Sequence, residues 1–150
     1  MEFDKFIQSL GQKLNLEIEA EGGVCGLDID GVSVMLHEAG DLVLFMAEIG
    51  VPPPEDGLEV LYRVALQANW LYGGTAGSTL TINPETGSIW LEKYTWLDRI
   101  DPDKSLDMVD RFADVAKTWR EFVSEYKADL SSGSDGTEAH ETGAFMQDIV

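Results

Sequence analysis

The stretch Val24-Cys25-Gly26-Leu27-Asp28-Ile29-Asp30-Gly31-Val32-Ser33-Val34-Met35-Leu36-His37 decides the fold. Residues 24–29 and 32–37 are two β-rich runs, and only Asp30-Gly31 separates them. Asp-Gly between such runs favours a two-residue turn whose twist matches that of paired strands, so the stretch reads as a β-hairpin. Beyond Gly40-Asp41 a third run, Leu42-Val43-Leu44-Phe45-Met46, is apolar without alternation. Such a run fits a strand covered on both faces and is placed in the interior of the sheet.

Upstream, Phe3, Phe6, Ile7, Leu10 and Leu14 recur at spacings of three and four, the pattern of a short amphipathic helix that ends near Asn15. Downstream, Pro52-Pro53-Pro54 reads as a stiff connector, and Glu55 and Asp56 suit the start of a second helix running to about Leu71. Glu59, Arg63 and Gln67 form its one polar stripe, and the remaining circumference is apolar. A helix of that kind needs more cover than one sheet face gives, and in so short a chain a second subunit is the expected cover. Strands over Ser78–Ile82 and Ser88–Trp96 flank a turn at 83–87, and Trp90, Tyr94 and Trp96 share one strand face. After Asp101-Pro102-Asp103 the last helix carries two apolar stripes from Leu106 to Tyr126. The order helix, three strands, helix, two strands, helix gives an α+β fold (α-β-β-β-α-β-β-α) with one twisted antiparallel sheet.

The chain has 150 residues, enough for one core, so residues 1–127 are expected to form one domain and 128–150 an acidic flexible tail with an apolar tip at Phe145–Val150. The net charge of -18 divides into -13 over residues 1–127 and -5 over 128–150. Such a field repels phosphate backbones and anionic lipid, which speaks against nucleic acid and membrane surfaces as partners. Cys25 is the single cysteine, so an internal disulfide is excluded and a reducing cytoplasm is the simplest home. The first residues mix acid with apolar side chains, unlike a signal peptide.

Motifs that carry chemistry are incomplete. Asp28-Ile29-Asp30-Gly31 has the opening of a calcium loop without its later ligands. His37-Glu38-Ala39-Gly40-Asp41 has aspartate where a zinc-binding HExxH motif needs its second histidine. Gly73-Gly74-Thr75-Ala76-Gly77 lacks the lysine of a phosphate loop and leads from helix to strand, so it reads as a turn. Asp103, Asp107, Asp110 and Asp114 line one flank of the last helix and read as a solvated face. No catalytic residue, metal site or cofactor is expected. What remains is more apolar surface than one small sheet can hide, the usual mark of an interaction site.

Several features together resemble the class I chaperones of type III secretion, the Tir chaperone family. They are the opening Phe3-x-x-Phe6-Ile7-x-x-Leu10-Gly11 helix, the hairpin Leu27-Asp28-Ile29-Asp30-Gly31, the run 42–46 leading to prolines, the helix with Leu58, Leu61, Ala65 and Leu66, and the hairpin Leu80-Thr81-Ile82 with Ile89-Trp90-Leu91. The resemblance implies an acidic cytoplasmic homodimer without enzymatic activity. It would bind the N-terminal segment of a secreted effector in extended form and keep it soluble for export, with release by the export ATPase. By that likeness Phe3, Phe6, Ile7, Leu10, Val32, Val34 and Leu36 are expected to contact cargo. Leu58, Leu61, Tyr62, Ala65 and Leu66 are expected at the dimer interface. The alternatives are a binding module of the same fold outside secretion, of the YbjN type, and an enzyme or metal protein using Asp28, Asp30, His37 and Asp41.

Overall fold

Asp30 and Gly31 both take positive φ, 50° and 82°, which closes a two-residue turn, and the Asp28 side chain accepts a hydrogen bond from the Gly31 N–H at 3.0 Å. The turn joins β1 (Val24–Ile29) to β2 (Val32–Ala39), whose register runs from Ile29 opposite Val32 to Val24 opposite His37. This computed structural model describes residues 1–53 and 55–133. His140 and the tip Phe145–Val150 lie outside the described residues.

The remaining elements are α1 (Phe3–Leu14), β3 (Leu42–Gly50), α2 (Glu55–Asn69), β4 (Thr79–Ile82), β5 (Ile89–Trp96) and α3 (Ser105–Ser132). Short helical turns lie at Trp70–Tyr72, Leu97–Arg99 and Pro102–Lys104. The strands form one five-stranded sheet in the order β1-β2-β3-β5-β4, so the α+β element order expected from the sequence is the one observed. The last helix continues past Tyr126 to Ser132.

The chain gathers into two compact units. In the first, residues 1–47 and 92–114, alternation on β1 and β2 buries Cys25, Leu27, Ile29, Val32, Val34 and Leu36 on one sheet face. The apolar stripe of α1 packs there too, through an aromatic chain from Phe3 to Phe6, Phe45 and Phe112 with successive ring centroids 6.5, 6.3 and 5.6 Å apart. Asn15 ends α1 in the left-handed conformation, its N–H donating to the Gln12 carbonyl and that of Leu16 to the Gly11 carbonyl. The chain leaves so close to the helix that a Cβ on Gly11 would stand 2.8 Å from the Leu16 carbonyl oxygen, so any side chain at position 11 forces the backbone to shift.

In the second unit, which among the described residues takes in 48–91 and 115–133, Leu61, Val64 and Ala68 of α2 are buried, as are Trp119 and Val123 of α3. The Trp119 indole N–H donates to the Gly74 carbonyl at 2.9 Å, and the Tyr126 hydroxyl donates to the Gly57 carbonyl at 2.8 Å. The Gly73–Gly77 segment folds as a turn: the Gly74 N–H donates to Ala68 and the Ser78 N–H to Thr75.

Candidate functional site

The seven side chains expected to touch cargo are all interior: Phe3, Phe6, Ile7 and Leu10 fill the space between α1 and the sheet, and Val32, Val34 and Leu36 face the same core. In the single chain none of the seven is at the surface. A helix with one apolar stripe and one apolar sheet face beside it buries that stripe at once, which stabilises the fold by about 1.5–3 kcal/mol per large side chain.

The opposite face of the sheet is different. On β3, Val43, Phe45 and Ala47 are buried, and the alternating Leu42, Leu44 and Met46 are incompletely covered. The run 42–46 is therefore not covered on both faces, contrary to the sequence expectation. The register sets Met35 opposite Met46 and His37 opposite Leu44, both half-buried on β2. On β5, Tyr94 is 59% and Trp96 48% exposed, on the face away from buried Leu91. Tyr94 and Trp96 are thus the exposed part of an apolar surface of the first unit to which Met35, Leu42, Leu44 and Met46 contribute partly covered side chains. Methionines adapt their shape to a partner, and aromatics offer large contact area at low entropic cost, so such a surface suits a partner without a fixed shape.

The two sheet edges also differ. Ile29 and Val32 bracket the hairpin turn as a hydrogen-bonded pair, so Cys25 and Leu27 likewise bond to β2, and the N–H and C=O of Gly26 and Asp28 point outward. Among the described residues only the start of that edge is closed, by Glu21 bonding to Val24. A Cβ at Gly26 would meet nothing within 4 Å. At the other edge, the Asn69 side-chain amide accepts from the Leu80 N–H at 2.8 Å and donates to its carbonyl at 3.1 Å. It occupies the backbone groups that an added strand would use, so β4 is blocked where β1 is free.

Of the residues expected at a dimer interface, Leu61 belongs to the core of the second unit, because it shares the buried side of α2 with Val64 and Ala68. Leu58, Tyr62 and Ala65 are half-buried along a flank, and Leu66 is 70% exposed. Trp70 and Leu71 follow at 76% and 81%, with Tyr72 exposed beside them. Leu71 and Tyr72 both hold positive φ, a conformation that costs non-glycine residues energy, here in a turn that displays large apolar side chains to solvent.

Among the described residues no group of three metal-ligating side chains exists, and Asp28, Asp30, His37 and Asp41 do not assemble one. Burial pushes the Cys25 thiol up, away from the thiolate that nucleophilic chemistry uses. No helix among the described residues is long and apolar enough to cross a membrane.

A model of the Tir chaperone protein (CesT) family matches residues 5–120. In the solved structures, a chain of the ExsC–ExsE complex is similar at TM-score 0.64 and 14% identity, over 80% of this chain and 92% of that one. A chain of the heterodimeric ExoU–SpcU complex from the type III secretion system of Pseudomonas aeruginosa is similar at TM-score 0.59 and 21% identity, over 81% and 94%. YbjN from E. coli shares the fold at TM-score 0.50 and 10% identity, over 85% and 91%. No curated protein is close enough in sequence to count as a relative.

Proposed function

Because the chain belongs to the Tir chaperone protein (CesT) family, we propose that it is a cytoplasmic, non-enzymatic chaperone of type III secretion. It binds the N-terminal segment of a secreted effector in extended form and keeps that segment soluble for export. The observation that carries this reading is an apolar sheet face on which Tyr94 and Trp96 are exposed and Met35, Leu42, Leu44 and Met46 are partly covered, on the same unit as the free β1 edge. One stretch of an extended peptide satisfies its backbone by pairing with the outward groups of Gly26 and Asp28, and a further stretch crosses the sheet so that its apolar side chains cover the partly exposed face, which lies several strand spacings of about 4.8 Å away. Affinity then comes from buried apolar area and strand pairing, and neither requires a nucleotide. In this reading Phe3, Phe6, Ile7, Leu10, Val32, Val34 and Leu36 act from beneath, by fixing the strands that present the face. The likeness to chains of the ExsC–ExsE and ExoU–SpcU complexes supports a protein partner.

Leu66, Trp70, Leu71 and Tyr72, with the flank Leu58, Tyr62 and Ala65, form the surface for a second copy of the chain. Most of these side chains are too apolar and too exposed to face water in a stable monomer. Affinity purification from the native organism with mass spectrometry tests the function. An exported protein held through its N-terminal segment is the expected partner. A partner unconnected with secretion would favour a binding module of the YbjN type, and release of the bound segment only with the export ATPase would place that enzyme next in the sequence of events.

A further inference from the structure

We propose that the first unit carries a second recognition site, a basic pocket that receives a carboxylate side chain of the bound peptide. The proposal rests on the reading that this chain holds an extended protein segment. The pocket is a cavity of about 170 Å³ lined by Lys93 of β5, Lys104 of the turn before α3, and Asp107, Met108 and Arg111 of α3. Three of the ten cations of a chain with net charge -18 meet there, against one carboxylate. Lys93 and Arg111 form no ion pair among the described residues, and Lys104 has only a loose one, 4.0 Å from the Asp101 carboxylate.

Three cations around one cavity with a single carboxylate among them repel each other, and an entering anion relieves that repulsion. The cavity has room for a side chain and not for a folded domain. Met108 supplies an apolar wall, so the pocket fits an acidic residue next to an apolar one in an extended chain. Lys93 precedes Tyr94 on β5, and successive strand residues point to opposite faces. The pocket is therefore distinct from the open face, and it supplies what an apolar face lacks, a charge that fixes the register of the peptide.

The test uses the full chain labelled with ¹³C on its methionine methyls and a hexaglutamate peptide as probe. A saturable shift of the Met108 methyl is expected, with Met35 and Met46 unmoved. In K93Q/R111Q the apparent affinity should fall at least about tenfold, the lower bound for losing a charge-assisted hydrogen bond, whereas Lys117→Gln, on the same helix outside the pocket, should leave it unchanged. Unmoved Met35 and Met46 resonances in the free variants verify that the fold is intact. Absence of a Met108 shift, an equal shift with inorganic phosphate, or a shift unaltered in K93Q/R111Q would each overturn the proposal. So would a shift that emerges only when Asp135, Glu138, Glu141 and Asp148 are exchanged for their amides, since the occupant would then be the chain's own tail. Because the probe is not an effector, failure here leaves the chaperone reading standing, and failure of that reading leaves this result interpretable.

Discussion

Leu66→Asp isolates the proposed contact between copies. Leu66 lies on the side of α2 opposite the buried Leu61, Val64 and Ala68, and 70% of it faces solvent in the single chain. Burying a leucine completely is worth about 1.5–3 kcal/mol, so covering the exposed share of Leu66 contributes about 1.5 kcal/mol per copy and about 3 kcal/mol in a two-fold pair. Its loss weakens dimerisation roughly a hundredfold, and two desolvated aspartates weaken it further. The monomer itself should lose no more than about 0.5 kcal/mol, from helix propensity. Sedimentation velocity over a concentration series reads the dimer, and thermal unfolding of the dissociated chain verifies the fold. A variant that remains dimeric with unchanged affinity refutes the assignment of this face. Leu61→Asp does not serve as the test, because it places a charge in the core.

Three further predictions concern the scaffold. Gly11→Ala should destabilise by about 1–3 kcal/mol in denaturant titration, because the new methyl group meets the Leu16 carbonyl at 2.8 Å and backbone yields poorly. Tyr126→Phe removes the bond to the Gly57 carbonyl and should cost about 1 kcal/mol, read as a fall of about 3 °C in melting temperature. The Asp110 carboxyl is held above its ordinary value of 3.8, first by desolvation and then by Asp114, Asp30 and Asp107. The folded state thus holds that proton more tightly than the unfolded one, so stability falls as pH rises from 3.8 through the raised value. Asp110→Asn should melt higher than the parent at neutral pH, and the gap should close below pH 3.8; a gap independent of pH would count against this origin.

The hairpin was legible because Asp30-Gly31 admits few backbone solutions and the flanking residues alternate in polarity. The apolar stripe of α1 was equally legible, but its role was not. Phe3, Phe6, Ile7 and Leu10 mark a face that must be covered, and periodicity alone does not say whether sheet or cargo covers it. Leu42, Leu44 and Met46 raise the same ambiguity in reverse. An uninterrupted apolar strand reads as buried on both sides, whereas the second side of β3 is half open. Tyr94 and Trp96 were visible as aromatics on one strand face, which was the best sequence signal for the open surface. The blocked β4 edge depends on Asn69, eleven residues from Leu80, and a side-chain amide standing in for a strand leaves no local pattern. The basic pocket was hidden for the same reason, since Lys93 on a strand joins Lys104 and Arg111 only through the fold.

The central claim is that cargo lies on the open sheet face of the first unit. The affinity of the full chain for the N-terminal segment of its co-purifying effector, measured by calorimetry for the parent and for Tyr94→Ala/Trp96→Ala, tests it most directly. Both side chains are about half exposed or more, so the fold should hold, while their loss should weaken binding at least about tenfold. Unchanged affinity in a variant with the parent's melting temperature would contradict the account.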